Sequence, residues 1–142
     1  MSAQLPTHSV HKVDAMLTLD SCLQWRVQCN QEEAAAFFAE CETYNDHDNA
    51  GLLRLASQID AVVPRMSFPN NNPNNGKRAH KWALGNEGSR VAYLEISTYA
   101  MRGTDIDELL QQLIAIAQSC AADEAWETER SANLVTLRFW WD

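Results

Sequence analysis

"FPNNNPNNGKRAHKW", residues Phe68–Trp82, is unlike the sequence around it. It holds two prolines, five asparagines and the basic residues Lys77, Arg78 and Lys81, within a 142-residue chain of formal net charge -8. If this stretch links two domains, each half must stand alone; if it is a loop, the halves complete one another. The periodicity on either side decides the question.

Upstream, "LDSCLQWRVQC" (Leu19–Cys29) alternates Leu23, Trp25, Val27 and Cys29 with Gln24, Arg26 and Gln28. That is the period of a half-buried strand, and Val13–Leu19 is expected to extend it or pair with it. The period then changes to a helical one. Asn30 with Glu33 three residues on forms a capping-box signature, followed by Ala34, Phe37, Phe38, Cys41 and Tyr44 at helical spacing. "NDHDN" interrupts, and Leu52, Leu55, Ala56, Ile59 and Val63 continue a second helical piece until Pro64 closes it. Asp48 is the expected N-cap of that piece.

Downstream, His80–Leu84, the turn "GNEGS" and Arg90–Tyr99 read as two strands of a hairpin. Thr104 is the expected cap of a helix whose apolar positions Ile106, Leu110, Leu113, Ala117 and Cys120 make one stripe. Asp105, Asp107 and Glu108 fall in its first turn, where the helix dipole favours negative charge. The chain ends on "NLVTLRFWW", a strand by composition and alternation.

The order is therefore β, α in two pieces, β, β, α, β. It predicts an α+β domain of ferredoxin-like (split β-α-β) type, a four-stranded antiparallel sheet with helices on one face. Residues 1–12 are expected to be a flexible tail and residues 13–142 one domain. Residues 64–79 are then a long loop, because either half alone would be an incomplete sheet. With little apolar surface to bury, Asn70–Gly76 is expected to be mobile.

On these strands Val135, Leu137, Phe139, Trp141, Ala92, Leu94 and Ile96 face inward with Trp25 and Val27. The outward set brings Arg26, Tyr93, Tyr99, Arg138 and Trp140 to an open sheet face. With Lys77, Arg78 and Lys81 they are the candidate partner-binding residues, and an exposed aromatic face also predicts a homodimer. Charge is segregated: residues 31–60 and residues 104–130 each carry seven acids and one arginine, while the remainder holds nine bases and five acids. The helices are acidic; the strands and the loop are mildly basic.

Catalytic and metal signatures are not found in the sequence. Cys22, Cys29, Cys41 and Cys120 form no C-x-x-C pair, so they read as free thiols of a reducing cytoplasm rather than zinc ligands. Laid on a calcium loop from Asp46, the chain has Ala50 and Ser57 where two ligands belong. The histidines at 8, 11, 47 and 80 accompany no recognisable nucleophile motif, and no cofactor is implied. The N-terminus lacks the apolar core of a secretory signal.

These observations predict a small cytoplasmic protein that acts by binding another protein. It would be an adaptor or an inhibitor of toxin-immunity or phage anti-defence type, docking on a nuclease or nucleic-acid-handling complex through complementary charge. The alternatives are single-stranded nucleic-acid binding by the sheet face and basic loop, and a small enzyme without a recognisable motif. The strand "SRVAYLEIS" lacks the RNA-recognition pattern, and overall acidity opposes phosphate binding.

Overall fold

The computed structural model describes residues 7–19, 23–41, 43–44, 47–99 and 101–142. Helix α1 (Thr7–Thr18) leads into strand β1 (Trp25–Cys29) and helix α2 (Gln31–Glu40). Two short strands, β2 (Thr43–Tyr44) and β3 (His47–Asp48), pair with each other before helix α3 (Asn49–Val62). Strands β4 (His80–Asn86) and β5 (Arg90–Ser97), helix α4 (Ile106–Ser119) and strands β6 (Glu124–Arg130) and β7 (Leu134–Trp140) complete the chain.

The main sheet is antiparallel with five strands in the order β1-β4-β5-β7-β6. This corrects the four-stranded ferredoxin-like expectation. The extra strand is β6, and β1 pairs directly with β4 instead of being split from it. A split β-α-β arrangement occurs only in the C-terminal half, where β7 lies between β5 and β6 and pairs with both. Strand β6, "EAWETER", escaped recognition because five of its seven residues are exposed, so it has no apolar alternation. Dense charge and a bulge between Glu127 and Glu129 mark it as a protected sheet edge.

The N-terminal region is corrected too. Val13 and Met16 lie on α1 and are buried at a three-residue spacing, so Val13–Thr18 is helical and Val13–Leu19 is not a strand. The helix already includes Thr7–Lys12, part of the stretch expected as a tail. Helix α2 begins with the expected capping box, Asn30 Oδ1 accepting from Glu33 N–H at 2.8 Å and Glu33 Oε1 from Asn30 N–H at 2.9 Å. It stops at Glu40, and Tyr44 belongs to β2. Helix α4 is capped by Asp105, not Thr104, the carboxylate accepting from Glu108 N–H. The side chain of Asp48, like those of His8, His11 and His47 and all of Cys22, lies outside the described residues.

The core lies between the helices and one sheet face. Trp82 and Leu84 from β4, Ala92, Leu94 and Ile96 from β5, and Val135, Leu137 and Phe139 from β7 meet Phe37, Phe38, Leu55, Ile59, Leu110 and Leu113. Trp82 stands edge-on to Phe38 at 6.0 Å, and its indole N–H donates to Gln31 Oε1 at 2.8 Å. Burying an indole satisfies both its apolar body and its single donor only when such an acceptor is placed beside it.

The Asn/Pro stretch is a loop closed at its neck. Met66 N–H donates to Lys77 O and Gly76 N–H to Met66 O, while Arg65 and Arg78 form an antiparallel bridge. Asparagine side chains tie the interior: Asn75 Oδ1 accepts from Phe68 N–H, Asn75 Nδ2 donates to Asn70 O, and Asn72 Oδ1 accepts from Asn74 N–H. The expectation of a mobile loop counted only apolar burial and overlooked the amides as local partners. Asn70, at φ 65°, and Gly76, at φ 84°, supply the left-handed positions of the turn. Asn75→Ala removes two of these bonds from a solvated site. We expect about 1 kcal/mol of lost stability in urea, and several-fold faster limited proteolysis between Phe68 and Gly76. Unchanged proteolysis would mean that the amides do not hold the loop.

Candidate functional site

The sheet face opposite the helices is where most of the sequence-predicted residues converge. Register fixes two rows across it. One runs Arg26, Gly85, Val91, Trp140, Glu124; the next runs Gln28, Ala83, Tyr93, Arg138, Trp126. The small residues Gly85 and Ala83 on β4 leave a shallow floor between β1 and β5. Arg26 lies across that floor, its Cζ 3.9 Å from the centroid of the Tyr93 ring. Gln28 crosses in parallel, and its Nε2 reaches Glu95 Oε2 at 3.3 Å.

Glu87, in the β4–β5 turn, is the hub. Its Oε2 accepts from Tyr93 O–H at 2.7 Å and from Arg26 Nη2 at 3.1 Å, and its Oε1 is 3.5 Å from Arg138 Nη2. Arg138 Nη1 also donates to Glu124 Oε1 at 3.0 Å, and its Cζ is 5.3 Å from the Trp126 ring and 6.0 Å from Trp140. Partial burial would raise the Glu87 carboxyl, but the bonds from Tyr93 and Arg26 and the charge of Arg138 hold it below its usual range. Burial pushes the Tyr93 phenol up, and its bond to anionic Glu87 adds to the shift. The result is a fixed lattice of alternating charges with aromatic rings beneath the guanidinium groups.

This face is less sticky than the sequence implied. Tyr93 is only 9% exposed, covered by Arg26, and packs with Ala83, Val91 and half-buried Trp140. On the strands of this face Trp126 is exposed, 44% accessible. On the same face a cleft of about 270 Å³ is lined by Arg26, Tyr93, Glu95, Thr128, Glu129, Leu134 and Thr136.

The other expected residues lie apart from this cluster. Arg78 grips Asp60 with two bonds, Nε–Oδ1 at 2.7 Å and Nη2–Oδ2 at 3.2 Å, and also bonds Glu32. It clamps the loop neck to α2 and α3. Lys77 is exposed on the loop, and Tyr99, beyond the end of β5, packs against Phe68 at 5.8 Å. Lys81 does reach the outer face, opposite Glu95, and lines a depression with Lys12, Gln28 and Glu33.

Glu87, Glu124 and Trp126 were missed. The last two share outward parity in "EAWETER", a signal that the surrounding charge hid. Glu87 is in a turn, where strand alternation gives no direction.

Cys29, Cys41 and Cys120 are buried free thiols. Burial, aided by Glu33 against the opposing charge of Lys12, pushes Cys29 up to about 12, so it is protonated at neutral pH. Among the described residues no group of histidine, cysteine and acid side chains is placed to hold a metal ion. Among them, too, no helix is long and apolar enough to cross a membrane. Compared with protein-family models, curated proteins and solved structures, the chain matches none.

Proposed function

We propose that this chain is a small, acidic, non-catalytic protein-binding module, an adaptor or inhibitor that holds its partner on the open sheet face. The observation that carries this reading is the pairing of both arginines of the face. Arg26 is occupied by Glu87, and Arg138 by Glu87 and Glu124. A phosphate backbone would have to displace these carboxylates, whereas a protein surface of mixed charge can meet the lattice as it stands. Trp126 and the cleft on the same face offer the aromatic anchor and recess that protein interfaces favour. The overall net charge of -8 suits a partner with basic surfaces, such as a nuclease or nucleic-acid-handling complex, by speeding their encounter.

The test uses the protein as an affinity bait alongside Arg138→Ala and Trp126→Ala. The expected result is one stoichiometric protein whose affinity falls at least about tenfold with either variant, the effect of a hot-spot truncation. A substitution on a helix, Glu40→Ala, should leave binding unchanged. A mobility shift of short single-stranded RNA or DNA, abolished by the same two variants, would replace this reading with the nucleic-acid one.

A further inference from the structure

The two edges of the sheet are built differently. Edge β6 carries acids at Glu124, Glu127 and Glu129 and a bulge. Edge β1, "WRVQC", has one charge, no proline and no bulge, and no described strand lies beyond it. Trp25 and Val27 on its core side are only half-buried. Of the devices that blunt an edge it has the charge of Arg26 and, from α1, Lys12 on the Gln28 carbonyl, but neither proline nor bulge.

Its outward backbone groups can be assigned. The Trp25 carbonyl oxygen faces β4, 2.3 Å from where a Cβ on Gly85 would stand, and Lys12 Nζ donates to Gln28 O at 2.9 Å. In an antiparallel ladder the N–H and C=O of one residue point the same way and alternate along the strand. Gln28 and Arg26 therefore direct their backbone groups outward, while Trp25, Val27 and Cys29 bond to β4. The side chains of Arg26 and Gln28 fold inward over Gly85 and Ala83 to Tyr93 and Glu95, so they do not themselves cover the edge.

We propose that β1 pairs antiparallel with β1 of a second copy of this chain, about a two-fold axis at Val27, joining two five-stranded sheets into one. The occupant is a second copy because the strand is complementary to itself in the register centred on Val27, which uses the outward groups of both Arg26 and Gln28 and sets neither opposite itself. Arg26 faces Gln28 of the second copy, twice over, and the two exchange four backbone hydrogen bonds. No like charges oppose one another, since each Arg26 is held by its own Glu87. Val27 meets Val27 across the axis, and Trp25 meets Cys29. Lys12 keeps its ion pair with Glu33, 3.5 Å away, while the Gln28 carbonyl accepts the incoming N–H through its second lone pair. An isologous contact of this kind closes on itself and yields a dimer, not a filament. It also sets the two outer faces side by side, so the cleft at Arg26 of one copy adjoins that of the other. This inference does not depend on the partner-binding reading.

Sedimentation velocity from about 1 to about 100 µM tests it. The intact chain should shift from monomer to dimer across that range. Gln28→Pro removes an outward N–H that no ladder bond uses, and should weaken the dimer at least tenfold. Gln28→Arg places like charges opposite each other and should do the same, while its own Glu95 supports the folded monomer. In a Cys22→Ser background, Val27→Cys should cross-link to a disulfide dimer on mild oxidation. A monomer at all concentrations, or a dimer indifferent to both Gln28 variants and not cross-linked at Val27→Cys, would overturn the proposal.

Discussion

Gly85→Ala is expected to destabilise the fold by about 3 kcal/mol, the upper range for overpacking a closed site. At most strand positions this change is neutral or mildly stabilising, because glycine has more backbone freedom to lose. The sign reverses here because a Cβ at residue 85 would stand 2.3 Å from the carbonyl oxygen of Trp25 and 3.2 Å from Arg26 Cα. Both obstacles are backbone, so no rotamer change relieves them. β1 must move away from β4 or its pairing must break, and the floor crossed by Arg26 is lost with it. Urea unfolding of the two proteins at one pH measures the difference. A change below about 0.5 kcal/mol, the scale of an ordinary surface substitution, would mean that the two strands are not in such close approach.

A second large effect is expected from acid. His80 is 4% exposed, and its Nε2 lies 3.0 Å from Gln31 Oε1, the oxygen that also accepts from Trp82. Gln31 Nε2 donates to Ala56 O, which fixes the amide orientation and makes His80 Nε2 the donor. Its Nδ1 has no partner among the described residues. Protonation would thus add a buried N–H without an acceptor. Burial depresses the imidazole to about 4 despite the neighbouring charge of Asp60, and Arg78 and Arg65 push in the same direction as burial.

The ordinary histidine value lies near 6.5, so between the two values the unfolded chain binds a proton that the folded chain refuses. Stability is therefore full above about pH 6.5 and falls with acidification towards pH 4. Linkage gives a loss of about 2 kcal/mol between pH 7.5 and pH 5, approaching about 3 at pH 4. Asp60, held below its usual range first by its bond from Arg78, adds to the loss only at still lower pH. His80→Gln, which carries no titrating proton, should flatten the profile above pH 5. An equally steep profile in that variant would place the acid sensitivity elsewhere.

The strands that carry the outer face were legible because burial on one side writes a period of two into sequence. Arg26, Tyr93, Arg138 and Trp140 could be assigned to a common face from Val27, Leu94 and Leu137 alone, and the structure brings them together. The capping box at Asn30 and Glu33 was equally plain, because its chemistry is local. What stayed hidden depends on contacts distant in sequence. Pairing of β1 with β4 rests on Gly85, whose role is visible only once Trp25 lies beside it. Arg78 looked like a free cation for a partner, but its acceptors Asp60 and Glu32 are 18 and 46 residues away. Thr104 and Asp105 are both good caps, and their adjacency left the choice to backbone geometry.

The closed neck between Met66 and Lys77 also bears on how this chain can change over evolutionary time. Because Arg78 fastens the base of the loop to both α2 and α3, the segment from Phe68 to Gly76 hangs from a rigid collar. Lengthening a segment whose ends are already held together costs only about 0.6 kcal/mol for each doubling of its length. Residues can be gained or exchanged there with little consequence for the sheet and core behind it. A tract of repeated asparagines is the kind of sequence that such a tolerant site can accumulate, and a recognition peptide grafted there would inherit a collar already in place.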